Sequence, residues 1–201
     1  MVGGSTIASN SLVDEVVKAI KSRVRLPVIL FPNNLMGVSK YADAILFMSL
    51  LNSNNTMFIT GFQALAAPMI KGYGLEAISL AYLIIGEGST AAYIGQAHAI
   101  PYHAFEIAAS YALAAEYLGM HFVYLEAGSG AKNPISSRMI ATVKKSVKIP
   151  VIVGGGIRDC ACSSALAKAG ADAIVTGTML EDDQSGQCIR EIIDGLRSAR
   201  I

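Results

Sequence analysis

The chain has 201 residues, 53% of them hydrophobic and 15% charged, which is enough apolar material for a sizeable core and excludes an intrinsically disordered protein. Sixteen Lys and Arg against fifteen Asp and Glu leave a net charge of +1, without the basic surplus typical of nucleic-acid-binding proteins. Three cysteines are too few for a disulfide framework and suit a reducing compartment, so we expect a cytoplasmic protein.

An uncharged stretch from 44 to 70 raises the question of a membrane span. Asn52, Gln63 and Pro68 interrupt it, so it predicts core and loop rather than an integral membrane segment. The first basic residue is Lys18, and no charged segment precedes an apolar run, so we expect no signal peptide.

Short apolar runs alternate with segments of helical periodicity along the whole chain. The predicted strands cover the opening 1–5, then 27–32, 44–51, 76–85, 121–128, 150–156 and 172–178. The predicted helices cover 12–24, 62–71, 101–118, 135–147, 160–169 and 188–196. This alternation predicts an α/β fold with a parallel sheet, in a single domain over 1–201.

Two glycine-rich strand ends, 154–156 and 176–178, lie close to the end of the chain with one helix between them. A (β/α)₈ barrel of the TIM type builds its phosphate site after its seventh and eighth strands, whereas a Rossmann sheet places its glycine loop after the first strand. We therefore predict a (β/α)₈ barrel. Counting back from the last strand leaves no segment for the first strand, so we expect a barrel that lacks its first strand–helix unit, truncated at its N-terminus.

The glycines at these strand ends predict an anion site, because a phosphate needs converging backbone N–H groups that a Cβ would block. Gly155, Gly156, Gly177 and Thr178 are the candidate residues. The structural alternative is that glycines simply end strands, which a single glycine would favour more than two clusters do.

The segment from Tyr124 to Gly130 carries the candidate polar chemistry. Strand alternation directs Tyr124 and Glu126 to the same face, and a carboxylate on an otherwise apolar strand is costly unless it binds a partner. Glu126 could accept hydrogen bonds from the hydroxyls of a small polyol. The alternative is a structural ion pair from Glu126 to Lys132 or Arg158.

Other candidates are weaker. Ser5, beside two glycines, could meet a hard cation or a phosphate, but it could equally cap a helix. Cys160 and Cys162 lack the partner residues of a zinc site, so we expect no transition-metal centre there.

Five motifs together resemble the geranylgeranylglyceryl phosphate synthase family, which is archaeal with bacterial heptaprenylglyceryl phosphate relatives. They are VGGST at 2–6, YADAILFMSLLNS at 41–53, YLEAGSGA at 124–131, VGGGIR at 153–158 and VTGT at 175–178. The resemblance covers essentially the whole chain and implies a modified TIM barrel.

The resemblance implies a transferase that joins the prenyl group of geranylgeranyl diphosphate to the C3 hydroxyl of sn-glycerol 1-phosphate through an ether bond, with Mg²⁺, in archaeal membrane ether-lipid synthesis. It implies Glu126 and Tyr124 as catalytic residues and Ser5 as a ligand for Mg²⁺. The implied substrate-binding residues are Tyr124, Leu125, Glu126, Ala127, Gly128, Ser129, Gly130, Gly155, Gly156, Gly177 and Thr178.

The family's first strand bears a substrate lysine and a metal aspartate, and this chain has no counterpart of either. Two alternatives therefore stand beside the prenyltransferase: a barrel that binds glycerol phosphate without catalysis, and another phosphate-binding barrel enzyme. No spacing identifies the prenyl chain length. A barrel of this size with an apolar surface favours a homo-oligomer.

Overall fold

The computed structural model describes residues 1–3, 9–177 and 186–199. Its strands are β1 (Val2–Gly3), β2 (Ile29–Phe31), β3 (Ala44–Leu50), β4 (Glu76–Ile84), β5 (Phe122–Glu126), β6 (Val151–Gly154) and β7 (Ala173–Val175). Its α-helices are α1 (Asn10–Arg23), α2 (Phe62–Tyr73), α3 (Thr90–Ile94), α4 (Phe105–Tyr117), α5 (Ser137–Ser146), α6 (Cys160–Lys168) and α7 (Gln187–Ser198). Two of the predicted site residues, Ser5 and Thr178, lie outside the described residues.

The predicted α/β alternation is confirmed, and the strands follow one another in the sheet in chain order. The sequence did not predict α3, whose five residues are too few for a recognisable helical period. The helix predicted to start at Pro101 begins instead at Phe105. Residues 101–104 form a turn, in which the Ala104 N–H donates to the Pro101 carbonyl at 2.9 Å.

The chain divides into two compact units, one of residues 1–49 and 55–80 and the other of residues 50–54 and 81–201. The first unit holds β1, β2 and β3, paired in parallel, and the first part of β4. Its core packs Val13 and Val17 of α1 with Leu30 and Ile45 of the strands. This division does not test the prediction of a single domain, which stays a prediction.

In the second unit, the two faces of each strand have different neighbours. Val123 and Leu125 of β5, with Val151 and Val153 of β6, belong to one apolar core together with residues of α4 and α5. Tyr124 and Glu126 alternate with these residues and point to the opposite face. The Tyr124 hydroxyl hydrogen-bonds to the Glu126 carboxylate, which confirms the predicted shared face of these two residues.

Each unit contains the same clamp between two neighbouring strands. Asp43, just before β3, accepts the N–H of Val28 at 2.8 Å and pairs with Lys21 of α1 at 2.5 Å. In the second unit, Asp172 accepts the N–H of Val151 at 2.7 Å and pairs with Lys144 at 2.6 Å. The clamps lie in matching sequences that sequence reasoning missed, PVI at 27–29 and 150–152, and ADAI at 42–45 and 171–174.

We predict that Asp43→Asn lowers stability in a pH-dependent way. The hydrogen bond from Lys21, and then that from the Val28 N–H, hold the pKa of the Asp43 carboxyl below its ordinary 3.8. The stabilisation is therefore complete above that value and is lost as the pH falls through the lowered pKa. Urea unfolding should show a larger gap between wild type and variant at about pH 6 than at about pH 3.

The control is Asp194→Asn, which removes a carboxylate 3.7 Å from Arg197 in an exposed pair on α7. A gap between wild type and Asp43→Asn that stays constant across this pH range would contradict the prediction.

Candidate functional site

The candidate site lies at the carboxyl ends of neighbouring strands in the second unit. Glu126, the last residue of β5, is in register with Gly154, the last residue of β6, and Gly154 is in register with Val175 of β7. On the other side, the Ile85 N–H after β4 donates to the Glu126 carbonyl at 2.8 Å. Parallel pairing thus brings together the two motifs, 124–131 and 153–158, that the sequence predicted to form one site.

The Glu126 carboxylate is buried, with 7% of the residue exposed, and its hydrogen bonds come from two directions. Oε1 accepts the Gly128 N–H at 2.6 Å, and Oε2 accepts the Tyr82 hydroxyl at 3.2 Å. The Tyr124 hydroxyl also hydrogen-bonds to this carboxylate. The Tyr82 and Tyr124 rings stand edge to face, with centroids 5.1 Å apart.

Burial dominates the electrostatics of this group. Loss of solvent raises the pKa of Glu126, and the hydrogen bonds from Gly128, Tyr124 and Tyr82 partly offset that rise because they favour the ionised form. Burial and then the charge of Glu126 raise the pKa of the Tyr82 and Tyr124 phenols well above 10.0, so both stay protonated donors.

The ion-pair alternative for Glu126 is not what the structure shows. Within residues 1–3, 9–177 and 186–199, neither Lys132 nor Arg158 pairs with Glu126. Arg158 is exposed and donates from Nη2 to the Ala131 carbonyl at 3.2 Å. The carboxylate is held by neutral donors, so its charge is available to a ligand.

The turn after β6 contains glycines because the loop after β5 approaches its backbone closely. Gly155 has φ +86°, and a Cβ there would lie 2.8 Å from Glu126 Oε1 and 2.6 Å from the Gly128 carbonyl oxygen. Gly156 has φ +71°, and a Cβ there would lie 2.8 Å from the backbone of Asn133. Both positions therefore require glycine to let the turn pack against the loop after β5.

The remaining predicted site residues differ in what they can offer. The side chains of Leu125 and Ala127 belong to the core against the helices, and the Gly128 N–H is used by Glu126. Ser129 and Gly130 are exposed. Gly177 is exposed, and a Cβ there would meet no atom of the described chain within 4 Å.

Tyr82 and Tyr102 are site residues that sequence reasoning missed. Tyr82 contacts Glu126 directly, and the charge of Glu126, after burial, raises the pKa of the Tyr102 phenol. The available signal was alternation along β4, which puts Tyr82 on the opposite face from its buried neighbours Ala81 and Leu83. The Tyr102 ring packs against Gly86, where φ is +75°.

A cavity of about 840 Å³ lies beside the loop after β5. Its volume falls within the range of about 300–1,000 Å³ typical of small-molecule sites. It is lined by Glu87, Gly88, Ser89, Thr90, Ala92, Tyr93, Ala97, His98, Ala99 and Pro101. Ser89 links it to the carboxylate site, because a Cβ on Gly128 (φ +106°) would lie 3.4 Å from the Ser89 hydroxyl and closer still to its Cβ.

Among the described residues, no three His, Cys, Asp or Glu side chains come together in a group that could hold a metal. The Glu126 oxygens already accept hydrogen bonds from Gly128 and Tyr82.

Comparison with known proteins gives consistent results. The PcrB family model matches residues 1–196. The chain is 57% identical over 197 residues to the geranylgeranylglyceryl phosphate synthase of Pyrococcus furiosus, covering 98% of this chain and 78% of that relative. It is 49% identical to the enzyme of the same name from Nitrosopumilus maritimus, covering 80% of that relative.

A solved structure shares the fold closely. The crystal structure of (S)-3-O-geranylgeranylglyceryl phosphate synthase from Thermoplasma acidophilum, in complex with its substrate sn-glycerol-1-phosphate, matches with a TM-score of 0.95 and 44% identity. The match covers 98% of this chain and 81% of that structure. The predicted barrel-type fold is confirmed by this likeness.

We predict that Glu126→Gln gains stability relative to wild type as the pH rises. Because burial raises the pKa of Glu126, the folded protein holds this proton to a higher pH than the unfolded chain, whose ordinary value is 4.5. Wild type therefore loses stability as the pH rises from that value through the raised pKa, and the amide variant does not. Urea midpoints between about pH 4 and pH 8 measure the difference. If the stability difference between Glu126→Gln and wild type did not shift in favour of the variant with rising pH, the hydrogen bonds would fully offset the effect of burial on the pKa of Glu126.

Proposed function

The chain belongs to the PcrB family, and we propose that it is a prenyltransferase acting on sn-glycerol 1-phosphate. The new C–O bond would join the glycerol C3 oxygen to the allylic C1 of geranylgeranyl diphosphate, while the C1–O bond to diphosphate breaks and the hydroxyl proton leaves. The observation that carries the proposal is the buried Glu126 carboxylate, held by neutral donors at the end of β5. The names of the relatives and the glycerol phosphate bound in the similar structure support it.

Glu126 and Tyr124 would bind the glycerol hydroxyls. A carboxylate accepts hydrogen bonds from two hydroxyls at once, and a phenol both donates and accepts. The raised pKa of Glu126 also suits it to take the proton that the attacking hydroxyl loses. Holding the nucleophile in place supplies much of the rate, because it removes the entropic cost of bringing two reactants together.

The phosphate would bind where the glycine-rich ends of β6 and β7 meet. Gly155 and Gly156 adopt left-handed conformations, Gly155 against Glu126 and Gly156 against Asn133, and Gly177 leaves the space of a side chain open. Thr178, which follows Gly177 in the sequence, stays a prediction. A phosphate here would lie close to the hydroxyl site, as a three-carbon substrate requires.

The cavity lined by residues 87–101 would take the prenyl chain. Its alanines, Pro101 and the ring of Tyr93 offer apolar surface, and Ser89 places its wall against the loop that follows Glu126. In the sequence, the residues that line this cavity come directly after the stretch 44–85, which is apolar with few charges. The prenyl chain length stays open.

Magnesium dependence stays a prediction from the resemblance, and a homo-oligomeric state stays a prediction from the apolar surface expected of a barrel of this size. The role of Ser5 as a metal ligand likewise stays a prediction. In the described ranges, no helix has the length and apolar character to cross a membrane. A cytoplasmic role in archaeal ether-lipid synthesis completes the proposal.

Incubation with radiolabelled sn-glycerol 1-phosphate and geranylgeranyl diphosphate tests the function directly. The proposal expects an organic-soluble prenyl ether that forms with magnesium and is lost with excess chelator. Binding of glycerol phosphate without product would favour the alternative of a non-catalytic glycerol phosphate-binding protein. A product that forms equally with chelator would overturn the metal requirement.

We predict that Gly177→Val lowers sn-glycerol 1-phosphate affinity at least about tenfold, or about 1.4 kcal/mol. The branched side chain would occupy space that a phosphate oxygen needs, and no atom of the described chain within 4 Å opposes its Cβ, so the fold should be unaffected. Calorimetry measures the affinity, and Gly72→Val on α2, also in open space, is the matched control. Unchanged affinity in a folded Gly177→Val protein would remove phosphate from this site.

We predict that Glu126→Gln lowers kcat/KM for glycerol phosphate about ten- to a hundredfold, because hydrogen bonds to a charged acceptor are worth about 1.5–3 kcal/mol. The loss should be larger for glycerol phosphate than for the prenyl diphosphate, which we place in the cavity. Steady-state kinetics with each substrate varied in turn gives both values. Glu106→Gln on the exposed face of α4 is the control. Equal losses for both substrates would count against a hydroxyl-binding role.

A further inference from the structure

The orientation of the Glu126 carboxylate depends on donors from different parts of the chain. The Gly128 N–H, two residues along the chain, holds Oε1 at 2.6 Å, and the Tyr82 hydroxyl, from β4, holds Oε2 at 3.2 Å. The Tyr124 hydroxyl is a third donor to the same carboxylate. The last torsion of a glutamate side chain is intrinsically broad. With donors on both oxygens, that torsion is fixed, and so are the directions of the lone pairs that remain for a ligand.

Tyr82 is itself held by its surroundings. Its neighbours in β4, Ala81 and Leu83, are fully buried in the core. Its carbonyl accepts the Leu51 N–H at 3.2 Å, and its ring packs edge to face on Tyr124 with the planes at 84°. Because both the backbone and the ring of Tyr82 are held in place, its hydroxyl has a defined position.

We propose that Tyr82 is a positioning residue that orients the Glu126 carboxylate to receive the hydroxyls of a glycerol phosphate. This inference rests on the proposed function, because it assumes that Glu126 meets the substrate. Tyr82 itself acts through Glu126.

The groups that act on Glu126 make the proposal testable by pH. Tyr82 of β4 and Tyr124 of β5 donate to the carboxylate, the Gly128 N–H does so from the loop after β5, and the phenol of Tyr102 feels its charge. The hydrogen bond from Tyr82 favours the ionised carboxylate, so its removal would raise the pKa of Glu126 further. A smaller fraction of the protein would then carry the charged acceptor at mildly acidic pH.

Calorimetric titration with sn-glycerol 1-phosphate alone, from about pH 5 to pH 8, is the first test. In Tyr82→Phe we expect affinity to fall about three- to tenfold and its acidic limb to move up by about half a pH unit. The matched control is Tyr117→Phe, which removes an exposed phenol from α4 and should change neither quantity. The phosphate's own ionisation near pH 6 affects all variants alike.

A double-mutant cycle separates positioning from packing. Once Glu126→Gln has removed the charge, adding Tyr82→Phe should change affinity by less than about twofold. If Tyr82→Phe alone unfolds, folding of the double variant would support the coupling, because no buried charge is left without its donor. Failure of both to fold, or equal loss of affinity in both backgrounds, would overturn the proposal.

The titration of Glu126 in the free protein, followed by NMR of its labelled carboxyl carbon, keeps the two proposals apart. If wild type binds no glycerol phosphate, the proposed function fails, whatever the titration shows. If wild type binds it but Tyr82→Phe leaves both the titration and the acidic limb in place, the inference about Tyr82 is wrong while the function stands.

Discussion

In the second unit, several residues are constrained by the free-energy cost of burying one carboxylate, that of Glu126. An ionised carboxylate with few exposed atoms is unfavourable unless donors surround it, and here they come from three places: Tyr82, Tyr124 and the Gly128 N–H. The same group limits what may stand beside it, because a Cβ on Gly155 would lie 2.8 Å from Oε1. The tyrosines on two strands and the glycine just after a third are therefore all constrained by a single buried charge.

More of the fold than of the candidate site could be predicted from the sequence. Alternation of apolar runs predicted the strands and placed Tyr124 and Glu126 on one face, because a strand's two-residue period depends only on local geometry. Tyr82 was not predicted because its partner Glu126 is 44 residues away: alternation along β4 gives the face on which Tyr82 lies but not the partner of its hydroxyl. The short α3 escaped for a different reason: its N-terminus depends on Ser89, which accepts the Ala92 N–H, and not on periodicity. Contacts between residues far apart in the sequence, and short helices that depend on a capping side chain, could not be predicted from local sequence patterns.

The aspartate–lysine clamps and the candidate site lie at opposite ends of the strands. Asp43 and Asp172 hold the starts of neighbouring strands with a lysine each, whereas Glu126 and the glycines stand where strands finish. This division is the one found in α/β barrels, where the carboxyl ends carry chemistry and the amino ends carry stability. The carboxylates near strand starts, Asp43 and Asp172, therefore have a different role from Glu126 at a strand end, although all three accept hydrogen bonds from backbone N–H groups.

The two tyrosines that surround Glu126 also set an alkaline limit on the fold. In the unfolded chain they ionise near 10.0, whereas in the folded protein their pKa values lie well above it. Above that pH the unfolded state releases protons that the folded state keeps, so folding becomes steadily less favourable. The chain has eight tyrosines and no tryptophan, so its ultraviolet absorbance comes largely from phenols. At high pH the phenolate absorbance of the pair beside Glu126 would thus appear only as the structure opens.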